Sequence, residues 1–192
     1  VDAEVIGRNY PVHVALGGDA RVVLVELLYE LSRQGAGDRL APAALPERVL
    51  PREGASAGAC KPQAVLRELA RALPRDAMVF VDNGTIRTWC GQYLPVRAPG
   101  SFFVNMGMAS MGWATAAVIG GKLARPDRAA VALVGDAAFA MNGMEVHTAV
   151  EHKVPVTWIV LNNGGHGMIY HGERAQFGGK FRSSVFSRAL DI

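Results

Sequence analysis

Three runs of continuous apolar residues constrain the fold of this chain more than any other feature of its sequence. Strands with this pattern are buried on both faces, which is typical of a parallel sheet covered by helices. A segment with the apolar spacing of a helix precedes each run, so helix and strand alternate at residues 63–73 and 78–82, 111–123 and 129–134, and 143–152 and 154–161. The sequence therefore predicts an α/β fold with a parallel sheet flanked by helices.

A polar turn follows each of the three predicted strands. The turns read Asp82-Asn83-Gly84-Thr85, Gly135-Asp136 and Asn162-Asn163-Gly164-Gly165. Open parallel sheets bind their ligands at the carboxyl ends of the strands. We therefore expect the three turns to meet at one site.

Asp136 and Asn163 are the candidates for holding a metal ion. One helix and one strand separate them, and a right-handed crossover of that kind brings the two turns side by side. A carboxylate, an amide oxygen and a backbone carbonyl near Gly165 suit Mg²⁺, which keeps water and phosphate as its other ligands. Taken singly, Asp136 could equally be a helix N-cap and Asn163 part of a polar turn. Gly135, Ala137 and Ala138 have small side chains, so their backbone N–H groups could approach a diphosphate at the start of a helix.

The composition argues against other classes of protein. The net charge is +3, and the 20 Lys and Arg residues are scattered, so a nucleic-acid surface is not expected. Cys60 and Cys90 form neither a disulfide framework nor a CxxC pair, and we expect buried or partly buried thiols in a reducing compartment. The sequence shows no signal-peptide core and no apolar stretch of membrane-spanning length, so we expect a cytoplasmic protein.

The first 62 residues differ in character from the rest. Alternating Val12, Val14 and Leu16 predict an extended segment, and Asp19 is a candidate N-cap for a helix with an apolar face. Residues 35–62 contain four prolines and four glycines, which predict an extended linker. We interpret the chain as three parts: 1–34 ends another domain, 35–62 is the linker, and 63–192 is the ligand-binding domain.

One stretch of the chain resembles the thiamine diphosphate-binding motif, which runs from Gly-Asp-Gly or Gly-Asp-Ala to Asn-Asn. It extends from Gly135-Asp136-Ala137-Ala138-Phe139 to Leu161-Asn162-Asn163 and is most similar to the acetolactate synthase branch of that superfamily. The resemblance covers nearly the whole chain. Residues 6–20 resemble the end of the central domain of those enzymes, and residues 63–192 resemble their pyrophosphate-binding domain, which we expect to be incomplete at its C-terminus.

The resemblance implies further cofactor contacts. Asp82-Asn83-Gly84-Thr85 through Trp89 is similar to the segment where these enzymes begin to contact the diphosphate. Ala109-Ser110-Met111-Gly112-Trp113 resembles their Gly-Thr-Met-Gly-Tyr segment, whose methionine supports the bent cofactor. Gly167-Met168 matches a Gly-Met pair beside the thiazolium ring. The implied metal ligands are Asp136, Asn163 and Gly165, and the implied cofactor-binding residues are Asn83, Gly84, Thr85, Ala109, Met111, Gly135, Asp136, Ala137, Ala138, Asn163, Gly165, His166, Gly167 and Met168.

The resemblance also implies an activity, with thiamine diphosphate and Mg²⁺ as cofactors. A pyruvate-like 2-oxo acid would be decarboxylated and its acyl unit joined to a second carbonyl compound. The family's activating glutamate belongs to a pyrimidine-binding domain, and no residue here matches it. We therefore expect no catalytic residue in this chain, a pyrimidine-binding domain from another segment or chain, and a homodimer or homotetramer. Acetolactate synthases also hold FAD with the central domain, and the sequence leaves FAD binding open.

Several departures from the family pattern leave alternatives open. Gly172 stands where acetolactate synthases carry a tryptophan, His166 replaces an amide, and Thr85-Ile86 replace Gln-His. A simple 2-oxo acid decarboxylase or another carboligase is the first alternative, and a non-catalytic cofactor-binding subunit is the second. A dinucleotide-binding dehydrogenase is disfavoured, because the nearest glycine-rich segment, at residues 107–112, follows no strong strand.

Overall fold

The computed structural model describes residues 3–35, 60–181 and 183–192 of the chain. The chain divides into two compact units, Val1–Ala55 and Ser56–Ile192. The first contains a short 3-10 helix, Ala3–Val5, and helix α1, Ala20–Arg33, which Asp19 caps as predicted through its carboxylate. The second contains, in chain order, α2 (Pro62–Ala72), β1 (Met78–Val81), α3 (Thr85–Tyr93), β2 (Phe102–Val104), α4 (Trp113–Ala124), β3 (Ala130–Gly135), α5 (Asp136–Asn142), α6 (Glu145–Glu151), β4 (Thr157–Leu161) and α7 (Gly167–Gln176).

The second unit is built on a four-stranded sheet in the order β2-β1-β3-β4. Every pair of neighbouring strands is parallel, with Val79 opposite both Phe102 and Val131, and Leu133 opposite Ile159. Parallel neighbours end at the same edge of a sheet, so the segments that follow the strands meet there. The α/β class and the parallel sheet predicted from the sequence are confirmed.

Helices cover both faces of this sheet. Met78 and Phe80 of β1 pack in one apolar cluster with buried residues of α4 and α6. Val79 and Val81 face the other way and pack with buried residues of α2 and α3. This alternation explains why the strand is apolar throughout, because each of its faces meets a helix layer.

Some predicted element bounds shift for identifiable physical reasons. Helix α4 begins at Trp113 rather than at residue 111, because Gly112 has a φ of +83°, which a helix does not accept. Strand β4 begins at Thr157 rather than at residue 154, consistent with Pro155 having no N–H to donate to a sheet. The segment at residues 12–16, predicted to be extended, pairs in no strand among the described residues.

Two other expectations from the sequence concern the linker and the two cysteines. Most of the predicted linker, residues 36–59, lies outside the described part of the chain. Cys90 is fully buried, as expected, and burial raises the pKa of its thiol to about 12. Cys60 is exposed, so the expectation of a buried or partly buried thiol is wrong for that residue. Over the described ranges, none of the helices has the length and apolar character needed to cross a membrane.

We expect Gly121→Ala to lower the free energy of unfolding by about 1–3 kcal/mol, the usual cost of overpacking a core. A Cβ at Gly121 would lie 2.2 Å from the Cζ atom of Phe80, whose ring stacks on Phe103 inside the sheet–helix cluster. Gly120 on the same helix has open space at its Cβ position. Gly120→Ala should therefore be neutral or stabilise by about 0.5–1 kcal/mol. Urea denaturation of both variants checks this, and equal midpoints would contradict the packing described.

Candidate functional site

A cavity of about 290 Å³ lies where the segments that follow β1, β3 and β4 meet. Helices α3, α5 and α7 each begin at its wall, with Thr85, Asp136 and Gly167 as their first residues. The structure brings all fourteen residues of the sequence-based cofactor set to this wall: Asn83, Gly84, Thr85, Ala109, Met111, Gly135, Asp136, Ala137, Ala138, Asn163, Gly165, His166, Gly167 and Met168. Their role in binding a cofactor stays a prediction.

Asp136 is the buried acidic group of the cavity. Its side chain is 1% exposed, and its Oδ2 atom accepts a hydrogen bond of 3.0 Å from the backbone N–H of Gly165. This bond connects the end of β3 to the loop that follows β4. As the first residue of α5, Asp136 also lies at the positive end of the helix dipole, which stabilises its carboxylate.

The side-chain amide of Asn163 lies next to this carboxylate. One terminal atom of the amide is 3.0 Å from Asp136 Oδ1 and 2.8 Å from the carbonyl oxygen of Gly165. An amide nitrogen at that position donates to both oxygens. An amide oxygen there would lie from each of these two oxygens at about the spacing of adjacent ligands of an octahedral Mg²⁺ ion, about 3.0 Å for metal–oxygen distances of about 2.1 Å.

The C-terminal segment of the chain fixes the loop that carries Asn163 and Gly165. The backbone N–H of His166 donates to the Ser184 carbonyl at 2.8 Å, and the N–H of Phe186 donates to the Gly164 carbonyl at 2.8 Å. Gly165 and Val185 form an antiparallel bridge. A Cβ at Gly165 would lie 2.1 Å from the Ser184 carbonyl oxygen, so this close approach of two backbones requires glycine.

Asp82 fixes the loop that carries Met111. Its carboxylate, which is fully buried, accepts backbone hydrogen bonds from Asn83 at 2.8 Å, Gly112 at 2.9 Å and Ala114 at 2.7 Å. Burial raises the pKa of Asp82 because desolvation disfavours the charged form, and the three hydrogen bonds oppose the shift. The chain that follows Met111 is therefore attached to the end of β1.

Other contacts in this loop hold the backbone around Met111. The Asn83 amide donates to the Ser110 carbonyl at 2.9 Å, and the Asn142 amide donates to the Gly112 carbonyl at 3.1 Å. Ala109 has a φ of +52°, a left-handed conformation that costs a residue with a Cβ about 1–2 kcal/mol. Backbone strain of this kind is common at binding sites.

Sequence reasoning missed six residues that line the cavity: Pro62, Ile86, Arg87, Trp89, Leu161 and Ile169. Three of them belong to α3, whose β-branched and aromatic residues give only a weak helix signal. A helix starting after Gly84 would have placed Arg87 in the first turn, facing the predicted site.

The described residues contain no group of three or more His, Cys, Asp or Glu side chains that could hold a metal ion. The site predicted from the sequence is of another kind, with one carboxylate, one amide and one backbone carbonyl from the protein. Such a set leaves most of the coordination to water and phosphate, as Mg²⁺ sites commonly do.

Comparisons with known proteins agree with this geometry. Residues 82–191 match the family model "Thiamine pyrophosphate enzyme, C-terminal TPP binding domain". The chain is 45% identical over 102 residues to sulfoacetaldehyde acetyltransferase of Alcaligenes xylosoxydans xylosoxydans, covering 53% of this chain and 17% of that protein. It is 37% identical over 117 residues to acetolactate synthase large subunit IlvG of Mycobacterium tuberculosis, covering 61% of this chain and 21% of that protein.

A solved structure shows the same fold. The thiamine diphosphate-dependent 4-hydroxybenzoylformate decarboxylase of Rhodococcus jostii RHA1 superposes with a TM-score of 0.68 at 23% sequence identity, over 79% of this chain and 28% of that one. The chain thus spans less than a third of that enzyme and less than a quarter of the two relatives above. The family model thus matches more than half of this chain. The chain therefore belongs to the thiamine pyrophosphate-dependent enzyme superfamily, in which it is similar to the acetolactate synthases.

Proposed function

We propose that this chain supplies the diphosphate-binding half of a site that uses thiamine diphosphate and Mg²⁺. The whole protein would decarboxylate a pyruvate-like 2-oxo acid and join the acyl unit to a second carbonyl compound. The observation that carries the proposal is the convergence of Asp136, Asn163 and the Gly165 carbonyl at the cavity wall. Thiamine diphosphate, when bound, supplies the electron sink that such a decarboxylation needs.

The residues around the cavity fit the diphosphate end of this cofactor. Asp136, Asn163 and the Gly165 carbonyl would hold Mg²⁺, which in turn needs phosphate oxygens to complete its coordination. The first residues of α3 and α7 line the same cavity, and helix N-termini favour anions. Gly167 leaves no space for a side chain, since a Cβ there would lie 2.8 Å from the Asn163 amide and 3.0 Å from Thr85 Oγ1.

Met111 would support the cofactor beyond its diphosphate. The side chain lies at the cavity wall, and the hydrogen bonds of Asp82, Asn83 and Asn142 hold the backbone on either side of it. A support fixed in this way can keep a flexible ligand in one conformation, which is a positioning effect. The activating glutamate would come from a pyrimidine-binding domain, in a homodimer or homotetramer.

A simple decarboxylase or a different acyl transferase is the second candidate. Gly172 stands where acetolactate synthases carry a tryptophan, so the indole that shapes their pocket for the second oxo acid is absent. One relative is named a sulfoacetaldehyde acetyltransferase and the matching solved structure a decarboxylase. These names support the alternatives without choosing between them.

Product analysis of the native protein distinguishes these activities. The protein would be incubated with pyruvate, thiamine diphosphate and Mg²⁺, and the products would be identified by mass spectrometry. Acetolactate supports the proposed carboligation, and acetaldehyde alone supports a simple decarboxylase. Cofactor binding without turnover of pyruvate or other 2-oxo acids would contradict the enzymatic proposal and favour a cofactor-binding subunit.

A further inference from the structure

Glu173 is a carboxylate of α7 that has no part in the site described so far. It lies six residues after Gly167, the first residue of the helix, which places it about 9 Å further along the helix axis. The residue is partly buried and lies outside the wall of the cavity. Its Oε2 atom accepts a hydrogen bond from the hydroxyl of Ser184, which is 1% exposed. A hydroxyl that donates to a carboxylate is held more firmly than one that donates to a neutral acceptor.

The backbone of Ser184 fixes the peptide that joins Gly165 to His166. The Ser184 carbonyl accepts the N–H of His166 at 2.8 Å. This peptide is trans, and the N–H and C=O of a planar trans peptide point in opposite directions. The bond to Ser184 therefore directs the Gly165 carbonyl away from Ser184, and its oxygen lies 2.8 Å from the side-chain amide of Asn163.

These contacts close a ring between α7 and the loop that precedes it. Gly165 and Glu173 are joined by the backbone of the helix and, in space, by Ser184. The position of Ser184 relative to α7 thus sets the direction of the Gly165 carbonyl. Mg²⁺ requires near-ideal octahedral geometry, so a small displacement of one ligand oxygen lowers the affinity for the ion.

We propose that Glu173 is a positioning residue for the Mg²⁺ site, because by holding the Ser184 hydroxyl it keeps the Gly165 carbonyl directed at the metal. This inference rests on the proposed function. Glu173 acts through Ser184 rather than as a ligand, since it lies outside the cavity wall that contains Asp136 and Asn163. Removing a residue that orients a metal ligand commonly weakens metal binding by about 10- to 100-fold.

The test measures Mg²⁺ affinity and stability separately in the native protein. Mg²⁺ is titrated calorimetrically into protein mixed with thiamine diphosphate, and urea denaturation without ligands gives the free energy of unfolding. The variants are Glu173→Ala, Glu173→Gln, Ser184→Ala and the double variant of the two alanine substitutions. The matched control is Glu145→Ala on α6, which removes a carboxylate that accepts the Thr148 hydroxyl at 2.9 Å and lies outside the cavity wall.

Glu173→Ala and Ser184→Ala should each weaken Mg²⁺ binding by about 10- to 100-fold. Because both break the same hydrogen bond, the double variant should lose about as much affinity as either single variant. Glu173→Gln keeps an oxygen that can accept from Ser184, so its Mg²⁺ affinity should stay within about threefold of the wild type. Glu145→Ala should lower stability and leave Mg²⁺ affinity unchanged.

Reduced stability with wild-type Mg²⁺ affinity in Glu173→Ala and Ser184→Ala would show that Glu173 supports only the fold, and would overturn the proposal. Equal losses of affinity in Glu173→Gln and Glu173→Ala would also overturn it, because the charge rather than the hydrogen bond would then matter. Ser184→Ala removes only a hydroxyl, so it tests the proposal even if Glu173→Ala does not fold. A wild-type protein that binds no thiamine diphosphate with Mg²⁺ would instead refute the proposed function, so the two failures are distinguishable.

Discussion

Asp136→Ala is expected to weaken the binding of thiamine diphosphate in the presence of Mg²⁺ by about 100-fold or more, and to abolish cofactor-dependent turnover. The substitution removes the charged ligand of the proposed metal site. It also leaves the N–H of Gly165 without its acceptor at 3.0 Å, so the loop after β4 loses its connection to β3. Isothermal titration calorimetry with the cofactor measures the affinity directly.

Two further variants make the Asp136 result specific. Asp136→Asn retains an oxygen that can accept from Gly165 but removes the charge, so it should fold like the wild type and still bind the cofactor weakly. Asp127→Ala removes an exposed aspartate that pairs with Arg125 just before β3, at the end of the sheet away from the cavity. This variant should bind the cofactor with wild-type affinity. Cofactor affinity of Asp136→Ala within threefold of the wild type would show that the metal ligands have been assigned to the wrong residues.

Gly165→Ala is expected to reduce both stability and cofactor affinity. Its Cβ would lie 2.1 Å from the Ser184 carbonyl oxygen, which belongs to the backbone and cannot rotate away. Separating the two backbones breaks the bridge to Val185 and moves the Gly165 carbonyl from its place beside the Asn163 amide. We expect the free energy of unfolding to fall by about 1–3 kcal/mol, measured by urea denaturation, and the cofactor to bind about tenfold or more weakly.

Gly172→Ala is the matched control for Gly165→Ala. Gly172 lies within α7, and a Cβ there meets open space. Alanine should stabilise this helix position by about 0.5–1 kcal/mol and leave the diphosphate affinity unchanged. Equal stabilities and equal cofactor affinities for the two variants would contradict the close backbone approach at Gly165.

The sheet and the location of the cavity could be predicted from the sequence because strong physical signals specify them. Continuous apolar runs mark strands buried on both faces, and parallel strands bring the turns that follow them to one edge. Asp136 and Asn163 follow two adjacent strands, so the sequence alone predicts that their side chains lie close together. The cofactor identity came from the resemblance of these turns to a known motif rather than from the spacing.

Other features depend on tertiary contacts that the sequence does not display. Residues 85–93 have weak helix propensity, and α3 forms because it packs against the buried face of β1. The three-residue strand β2 is too short for a periodic signal and is defined by its pairing with β1. The contact between Gly165 and Ser184 joins segments nearly 20 residues apart, and no local sequence pattern predicts it.

The most direct test of this account is a calorimetric titration of the native protein with thiamine diphosphate, performed once with Mg²⁺ and once with EDTA. We expect binding to require the metal, because Mg²⁺ held by Asp136, Asn163 and the Gly165 carbonyl would complete its coordination with phosphate oxygens. Asn163→Ala should then weaken the binding of Mg²⁺ and cofactor together. Tight binding that EDTA leaves unchanged, or an Asn163→Ala variant with wild-type affinity for both, would contradict the site described here.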